Sequence, residues 1–202
     1  LSFRERKTAK RKEEIIRSAM SILAEKGYHG TTMEEIASTL LMTKGSVYYY
    51  FKDKQDLLFQ GQEMLLEQSI KNVQAVQRQH LPVIEKVRRA VKVHIEYLIS
   101  ERSGFEMMLN PKQSFSTQQL EKILTLRNDY EKCFDQMIEE GIVRGEFVSS
   151  DIKVVRNIML GAMNWVTQWY TVEGEKDQSE MAEDVSKYLL RILVKGGISN
   201  EH

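Results

Sequence analysis

The sequence predicts an all-α protein: a front domain of three helices in residues 1–52, then a long helix leading into a larger helical bundle in residues 53–202, about nine helices in all. Three observations carry this. Apolar residues recur at three-to-four spacing along nearly the whole chain, as they do on one-sided helices. Only two prolines and 11 glycines punctuate 202 residues, so breaks are few and helices long. No segment alternates convincingly enough to read as a strand.

The first helix is expected over 6–26, with Ile15, Ile16, Ala19, Ile22 and Leu23 on one face and Gly27 at its C-terminal cap. Thr32 and Glu35 are spaced as a capping box and start a second helix, with Ile36, Ala37 and Leu40 facing inward, to about residue 41. Thr43 is the next N-cap, opening a short third helix over 44–51. Asp53 caps a fourth, carrying Leu57, Leu58, Met64 and Leu65 to about Gln79. Two very short helices about three residues apart are the layout of a helix-turn-helix.

The third of these helices carries TKGSVYYYF, Thr43 to Phe51. Residues four apart share a helix face at about 100° per residue, so Val47 and Phe51 point the same way, with Tyr50 beside them. Consecutive tyrosines cannot all face inward, which leaves Lys44, Gly45, Ser46, Tyr48 and Tyr49 on other faces. Gly45 lets a nucleic-acid backbone or base edge approach, and Lys44, Ser46 and the phenols donate hydrogen bonds. The helix N-termini at Thr32 and Thr43 offer unpaired N–H groups that favour anions. That set suits insertion into a DNA major groove. The competing reading makes all three tyrosines core or dimer residues.

Charge points the same way. The net charge is zero, yet residues 1–52 hold ten Lys/Arg against six acids, about +4, and the rest is about −4. Arg4 to Lys12 alone has six basic residues and one acid. A basic front on an acidic body suits a front that meets a polyanion, although a solvated arm has the same composition.

The stretch Thr32 to Leu58, TMEEIASTLLMTKGSVYYYFKDKQDLL, resembles the DNA-binding signature of the TetR family of bacterial transcriptional regulators. The shared pattern is a capped helix, an Ile-Ala pair, a Thr/Ser-Lys-Gly-Ser turn, Tyr-x-Tyr/His-Phe and Lys-x-x-Leu. The resemblance implies that Lys44, Gly45 and Ser46 face the groove and that Tyr48 and Tyr49 touch phosphates and base edges. Thr31 or Thr32 and Lys54 would then be flanking phosphate contacts, with Val47 and Phe51 buried. One position departs. The family usually has a small residue and a glycine before the capping Ser/Thr, where this chain has Leu40 and Leu41. A left-handed Leu41 would cost about 1 kcal/mol; otherwise the turn takes another geometry.

The remaining elements follow in order. Pro82 opens a helix to about Ile99, with Val83, Val87, Val91, His94, Ile95 and Leu98 on one side, and Ser103-Gly104 is expected to break it. Phe105 to Asn110 is a short apolar segment ended by Pro111. Thr117 to about Gly141 is a helix with Leu120, Ile123, Leu124, Tyr130, Phe134, Met137 and Ile138. Asp151 caps a helix to about Tyr170, residues 174–178 form a polar loop, and the last helix runs from about Ser179 to Lys195, before Gly196-Gly197.

The last two helices carry more apolar surface than one core needs. Ile152, Val155, Met159, Met163, Val166 and Tyr170 form one stripe, and Val154, Ile158, Gly161, Trp165 and Trp169 another; Met181, Val185, Tyr188, Leu189 and Ile192 recur on the final helix. A helix apolar on two sides is buried on two sides. A two-fold four-helix dimer interface follows, with Trp169, Met181, Val185, Tyr188, Leu189 and Ile192 in it, unless the chain is a single thick bundle. A dimer places two reading helices roughly 34–36 Å apart on a pseudo-palindrome.

Tyr97, Phe105, Met107, Met108, Tyr130, Phe134, Met137, Met159, Met163 and Trp165 can line an adaptable pocket, though such methionines are as readily plain core. The resemblance adds weight to the pocket, because TetR-like regulators bind an effector among these helices. GAMNWVTQWY (161–170), after RNDYEKCFDQMIEEGIVRGEF (127–147), looks like a subset that regulates fatty-acid and sterol side-chain breakdown and includes responders to acyl-CoA thioesters. It implies a long apolar ligand with an acidic head near Arg127 or Arg102.

Other classes find little support. The four histidines are scattered and no metal-spaced pair, nucleophile elbow or phosphate loop occurs, so no enzyme activity, cofactor or metal is expected. The single Cys133 forms no internal disulfide and suits a reducing cytoplasm. No run of 18 apolar residues suggests a membrane span, and no secretory leader is expected, although Leu1 is not a start methionine. The expected function is a dimeric, ligand-responsive repressor of double-stranded DNA. The alternative is an all-helical ligand-binding or protein-interaction module without DNA binding.

Overall fold

The computed structural model describes residues 2–109, 115–148 and 150–194. Among them the chain forms nine helices and no strand: α1 (Phe3–Lys26), α2 (Met33–Thr39), α3 (Lys44–Tyr48), α4 (Lys54–Gln77), α5 (Val83–Ser100), α6 (Arg102–Leu109), α7 (Thr117–Val143), α8 (Ile152–Trp169) and α9 (Gln178–Leu193). They gather into two compact units, Leu1–Leu66 with Glu101–Leu126, and Glu67–Ser100 with Arg127–His202. The helices α4 and α7 therefore each contribute to both units.

In the first unit, Ile15, Ile16, Ala19, Met20 and Leu23 of α1 close on Met33, Ile36 and Ala37 of α2, on Val47 and Phe51, and on Leu57 and Leu58 of α4. Each fully buried Leu, Ile or Phe contributes about 1.5–3 kcal/mol. Helix α1 begins at Phe3, three residues earlier than the periodicity suggested, because Ser2 and Glu5 form a reciprocal capping box. Its opening turns are nearly all exposed, so the cap and local hydrogen bonds hold them in place of packing.

The break expected at Ser103-Gly104 falls instead at Glu101, and both residues lie inside α6. Gly104 is there for closeness. A Cβ on it would stand 2.5 Å from Leu65 Cδ1 of α4. Helix α6 also supplies Met107 to the core of this unit and packs on α1. The expected end of its segment at Asn110-Pro111, and that of the last helix at 195–197, lie outside the described residues.

Two helices end in the same six-residue motif with different residues. At the end of α7, Gly145 takes φ 71, while its N–H reaches Ile142 O and that of Glu146 reaches Gly141 O. At the end of α2, Leu41 N–H reaches Ser38 O and Met42 N–H reaches Ala37 O, with Leu41 at φ 52. This is a Schellman cap, which needs a left-handed residue and favours glycine. Of the two turn geometries the sequence left open, the left-handed one is adopted.

In the second unit, α5 packs against α8 and α9. Val83, Val87, Ala90, Val91, Ile95 and Leu98 of α5 are buried, as are Val155, Met159, Met163 and Val166 of α8 and Leu189, Leu190 and Leu193 of α9. Glu183 of α9 bridges Arg88 and Lys92 of α5, both at 2.7 Å. Arg156 of α8, nearly fully buried, pairs with Glu131 and, at 3.3 Å, with Asp135 on α7. The second stripe of α8 stays outside: Val154, Ile158, Trp165 and Trp169 are each at least half exposed. The chain by itself does not cover that stripe, which disfavours the thick-bundle reading.

Candidate nucleic-acid interface

Two N-caps aim the short helices. Thr32 accepts from Glu35 N at 3.1 Å and Thr43 from Ser46 N at 3.2 Å. The expected capping box at Thr32 is only half made, because the Glu35 carboxylate turns away to pair with Lys26 on α1. Thr43 and Ser46 also join hydroxyl to hydroxyl at 2.7 Å.

Burial along α3 and the turn that follows it keeps the helical period. Val47 and Phe51 are sealed in the core and Tyr50 is partly buried against it. Tyr48 and Tyr49 are 40% and 75% exposed. The Tyr49 ring meets Tyr50 edge to face, centroids 5.0 Å apart, which fixes its direction. A Cβ on Gly45 would meet no atom within 4 Å, so nothing inside the chain requires glycine there. Lys44 lies 5.5 Å from the centre of the Tyr48 ring and pairs with Glu34 of α2. The Glu34 carboxylate holds the Lys44 ammonium above its ordinary pKa, and the ammonium holds the carboxylate below its own.

Two expected phosphate contacts are placed otherwise. Thr31 is 1% exposed and its hydroxyl donates to Gly27 O at 2.9 Å, so it props the loop before α2 from within. Lys54 is partly buried; its Nζ donates to the carbonyls of Thr31, at 2.6 Å, and Tyr28, and sits over the Tyr28 ring. Two of its N–H groups are taken up by backbone oxygens. Thr31 thus corrects the sequence reading: sealed from solvent, it shapes the surface from within and meets no phosphate.

The structure adds a feature that residue-by-residue reasoning missed. A cleft of about 530 Å³ lies between the front of α1 and the end of α3, lined by Lys7, Thr8, Lys10, Arg11, Glu14 and Tyr50. The charge run Arg4–Lys12 was the available signal, but it gave no direction. Three cations there outnumber the one acid, Glu14, so the cleft itself is positive.

The expected pocket residues separate. Met107 belongs to the core of the first unit, and Phe105 and Met108 lie in that unit too. Tyr130, Phe134, Met137, Met159 and Met163 are buried in the second unit, with Tyr97 partly so. Trp165 is 64% exposed on the outer stripe of α8 and lines no interior space. Arg127 is exposed and Arg102 pairs with Glu106. Sequence reasoning put His94 on the apolar side of α5 but named no partner for it. It is buried, and its Nδ1 is 2.5 Å from the Tyr130 hydroxyl. Burial pulls the imidazole pKa down to about 4, opposed weakly by Asn164, and pushes the Tyr130 phenol up.

Of the expected dimer residues, Trp169, Tyr188 and Ile192 are exposed and Met181 and Val185 partly so. Leu189 is a correction: it is 6% exposed and packs within its own unit, because it lies on the face of α9 that carries Ala182, Ser186 and Leu193.

Known proteins are similar throughout. The family model for bacterial regulatory proteins of the tetR family matches residues 15–60, and that for the tetracyclin repressor-like C-terminal domain matches residues 80–193. The chain is 26% identical over 186 residues to the fatty acid metabolism regulator protein of Bacillus subtilis, covering 91% of this chain and 93% of that one. It is 24% identical over 194 residues to the HTH-type transcriptional regulator QacR of Staphylococcus aureus, covering 91% and 98%. Among solved structures, the TetR family regulator PfmR from Thermus thermophilus superposes with TM-score 0.81 at 24% identity over 88% of this chain and 97% of that one. The ketosteroid regulator KstR2 of Mycobacterium tuberculosis does so with TM-score 0.82 at 18% identity over 92% and 96%. With both halves matched, the chain belongs to the tetR family of bacterial transcriptional regulators.

Proposed function

We propose that this regulator is a repressor that binds a pseudo-palindromic duplex as a homodimer and leaves it when a small apolar effector binds. The observation that carries the DNA reading is the division of α3 and the turn after it: Val47 and Phe51 are buried while Lys44, Gly45, Ser46, Tyr48 and Tyr49 stand outward. Thr32 and Thr43 cap the two helix starts, and this reading sets them beside the phosphates. The exposed stripe Val154, Ile158, Trp165 and Trp169, with Tyr188 and Ile192, supports pairing of two chains through α8 and α9.

The effector is long and apolar, and an acyl-CoA thioester is the class we favour. Support comes from the buried methionines and aromatics of the second unit and from the likeness to a fatty acid metabolism regulator. Helix α4 runs through both compact units, so an effector that prefers one tilt of α4 shifts the population away from the DNA-competent state. The protein acts in the cytoplasm, where the operator is.

The test is selection from a random duplex library with the full-length chain, followed by titration of the enriched duplex against salt. Enrichment of a two-fold sequence, a steep inverse salt dependence and release by a long-chain acyl-CoA are expected. Failure to enrich any duplex overturns the DNA reading, and enrichment without release overturns the effector class.

A further inference from the structure

A polar cluster lies inside the apolar bundle of the second unit. His94 occupies the face of α5 that otherwise buries Val87, Val91, Ile95 and Leu98. Its Nδ1 meets the Tyr130 hydroxyl of α7 at 2.5 Å. Its Nε2 is sealed from solvent and has no hydrogen-bond partner among the described residues. The Asn164 side chain of α8 stands near enough to favour the charged ring, but closes no hydrogen bond of good geometry with it. Burial keeps the ring neutral, so it carries a single N–H. When the Tyr130 phenol donates to Nδ1, that N–H sits on Nε2 and finds no acceptor. A buried donor left unpaired is a net cost to the fold, and packing alone does not call for it. The surroundings are apolar and adaptable. Phe134 lies edge to face on Tyr130, centroids 5.6 Å apart. Met159 and Met163 are buried on α8, the helix that carries Asn164 and packs on α5. Methionine is unbranched and rotatable, so it repacks around a guest. Apolar walls with a few converging polar groups make a small-molecule site.

Resting on the effector reading above, we propose that His94 Nε2, with the Asn164 carboxamide beside it, is the hydrogen-bonding anchor for an uncharged carbonyl oxygen of the effector, the thioester carbonyl of an acyl-CoA. The neutral imidazole donates to that oxygen, and an Asn164 N–H donates to its other lone pair. The Tyr130 hydroxyl, donating to Nδ1, holds the tautomer this needs. A carboxylate does not suit the place, because it would require a buried counter-charge. The buried arginine of this unit, Arg156, is already paired with Glu131 and Asp135.

The experiment titrates the full-length chain by isothermal calorimetry in neutral buffer. Dodecanoyl-CoA is compared with S-dodecyl-CoA, a thioether that lacks the carbonyl, and methyl dodecanoate with dodecanoate, which is charged. Wild type should bind dodecanoyl-CoA about tenfold tighter than the thioether, because the carbonyl pairs a donor that the thioether leaves unpaired. It should bind the methyl ester at least about tenfold tighter than dodecanoate. His94→Leu should erase or reverse the first preference, since the carbonyl is then buried unpaired, while thioether affinity moves less than about threefold. Asn164→Leu, at a partly exposed neighbour that leaves the His94–Tyr130 pair intact, should cut the preference to about threefold. It decides alone if the His94 variant does not fold. Equal affinity of wild type for thioester and thioether overturns the inference, as does an undiminished preference in either folded variant. Tighter binding of dodecanoate than of its ester makes this an anion site and overturns it too. Ester binding that His94→Leu weakens, with neither CoA compound bound, upholds the anchor and sinks the acyl-CoA class. Binding of none of the ligands overturns the anchor and the effector class together.

Discussion

The ammonium of Lys54 at the start of α4 lies 2.6 Å from the carbonyl oxygen of Thr31, just before α2. The same nitrogen donates to Tyr28 O and stands 4.3 Å from the centre of the Tyr28 ring. The loop carrying the start of α2 is thereby tied to α4 by one side chain.

Lys54→Met, which keeps the apolar stem and removes the donor, should lower stability by about 1–3 kcal/mol, because two carbonyls lose a charged partner. Urea unfolding measures this. The salt slope of duplex binding should stay that of wild type, whereas a lost phosphate contact would reduce it by about one.

Leu41 is 96% exposed at φ 52, holding a cap position suited to glycine. Leu41→Gly should raise stability by up to about 1 kcal/mol, since relief of the left-handed strain outweighs the added freedom of the unfolded chain. The thermal midpoint should rise by about 2–4 °C. A lower midpoint would mean that the leucine side chain contributes packing absent from this surface.

Lys44→Ala combined with Tyr48→Ala should leave the helical circular dichroism unchanged, because both side chains lie outside the core. Affinity for the enriched duplex should fall about 10–100-fold through the loss of one charged and one phenolic contact. Unchanged affinity in a folded double variant would show that α3 is not the reading helix.

Trp165→Ser with Trp169→Ser removes two large exposed rings from α8. The variant should remain helical and should run as a monomer in native mass spectrometry where wild type runs as a dimer, since aromatic anchors carry most of the energy of such interfaces. A dimeric double variant would move the interface elsewhere.

His94 gives a pH dependence. Its pKa is about 4 in the folded chain against an ordinary 6.5, so the neutral form is the one that packs. Above 6.5 its contribution is complete. As pH falls the unfolded chain takes up the proton first, and stability drops by about 2 kcal/mol between pH 7 and 5, approaching its full loss near pH 4. His94→Gln, compared with wild type by urea unfolding at both values, should show the smaller acid-induced loss.

The helices and their caps were legible in the sequence because they depend on residues three to five apart. The apolar period marked α5, α7, α8 and α9. Thr and Asp caps marked the starts of α2, α3 and α8, whereas the left-handed backbone of Leu41 was one of two geometries that the sequence left open. The exposure of Tyr48 and Tyr49 was legible for the same reason, since a helix cannot bury consecutive positions. Tertiary structure alone decided the pairings between distant residues. Lys54 ties down a loop 23 residues earlier, His94 meets Tyr130 36 residues on, Gly104 admits Leu65, and Leu189 turns into its own bundle while Trp165 turns out. A lysine near a helix start or a leucine on a two-sided helix carries no mark of which partner will reach it. That depends on where other helices pack, and local hydrogen bonding does not encode it.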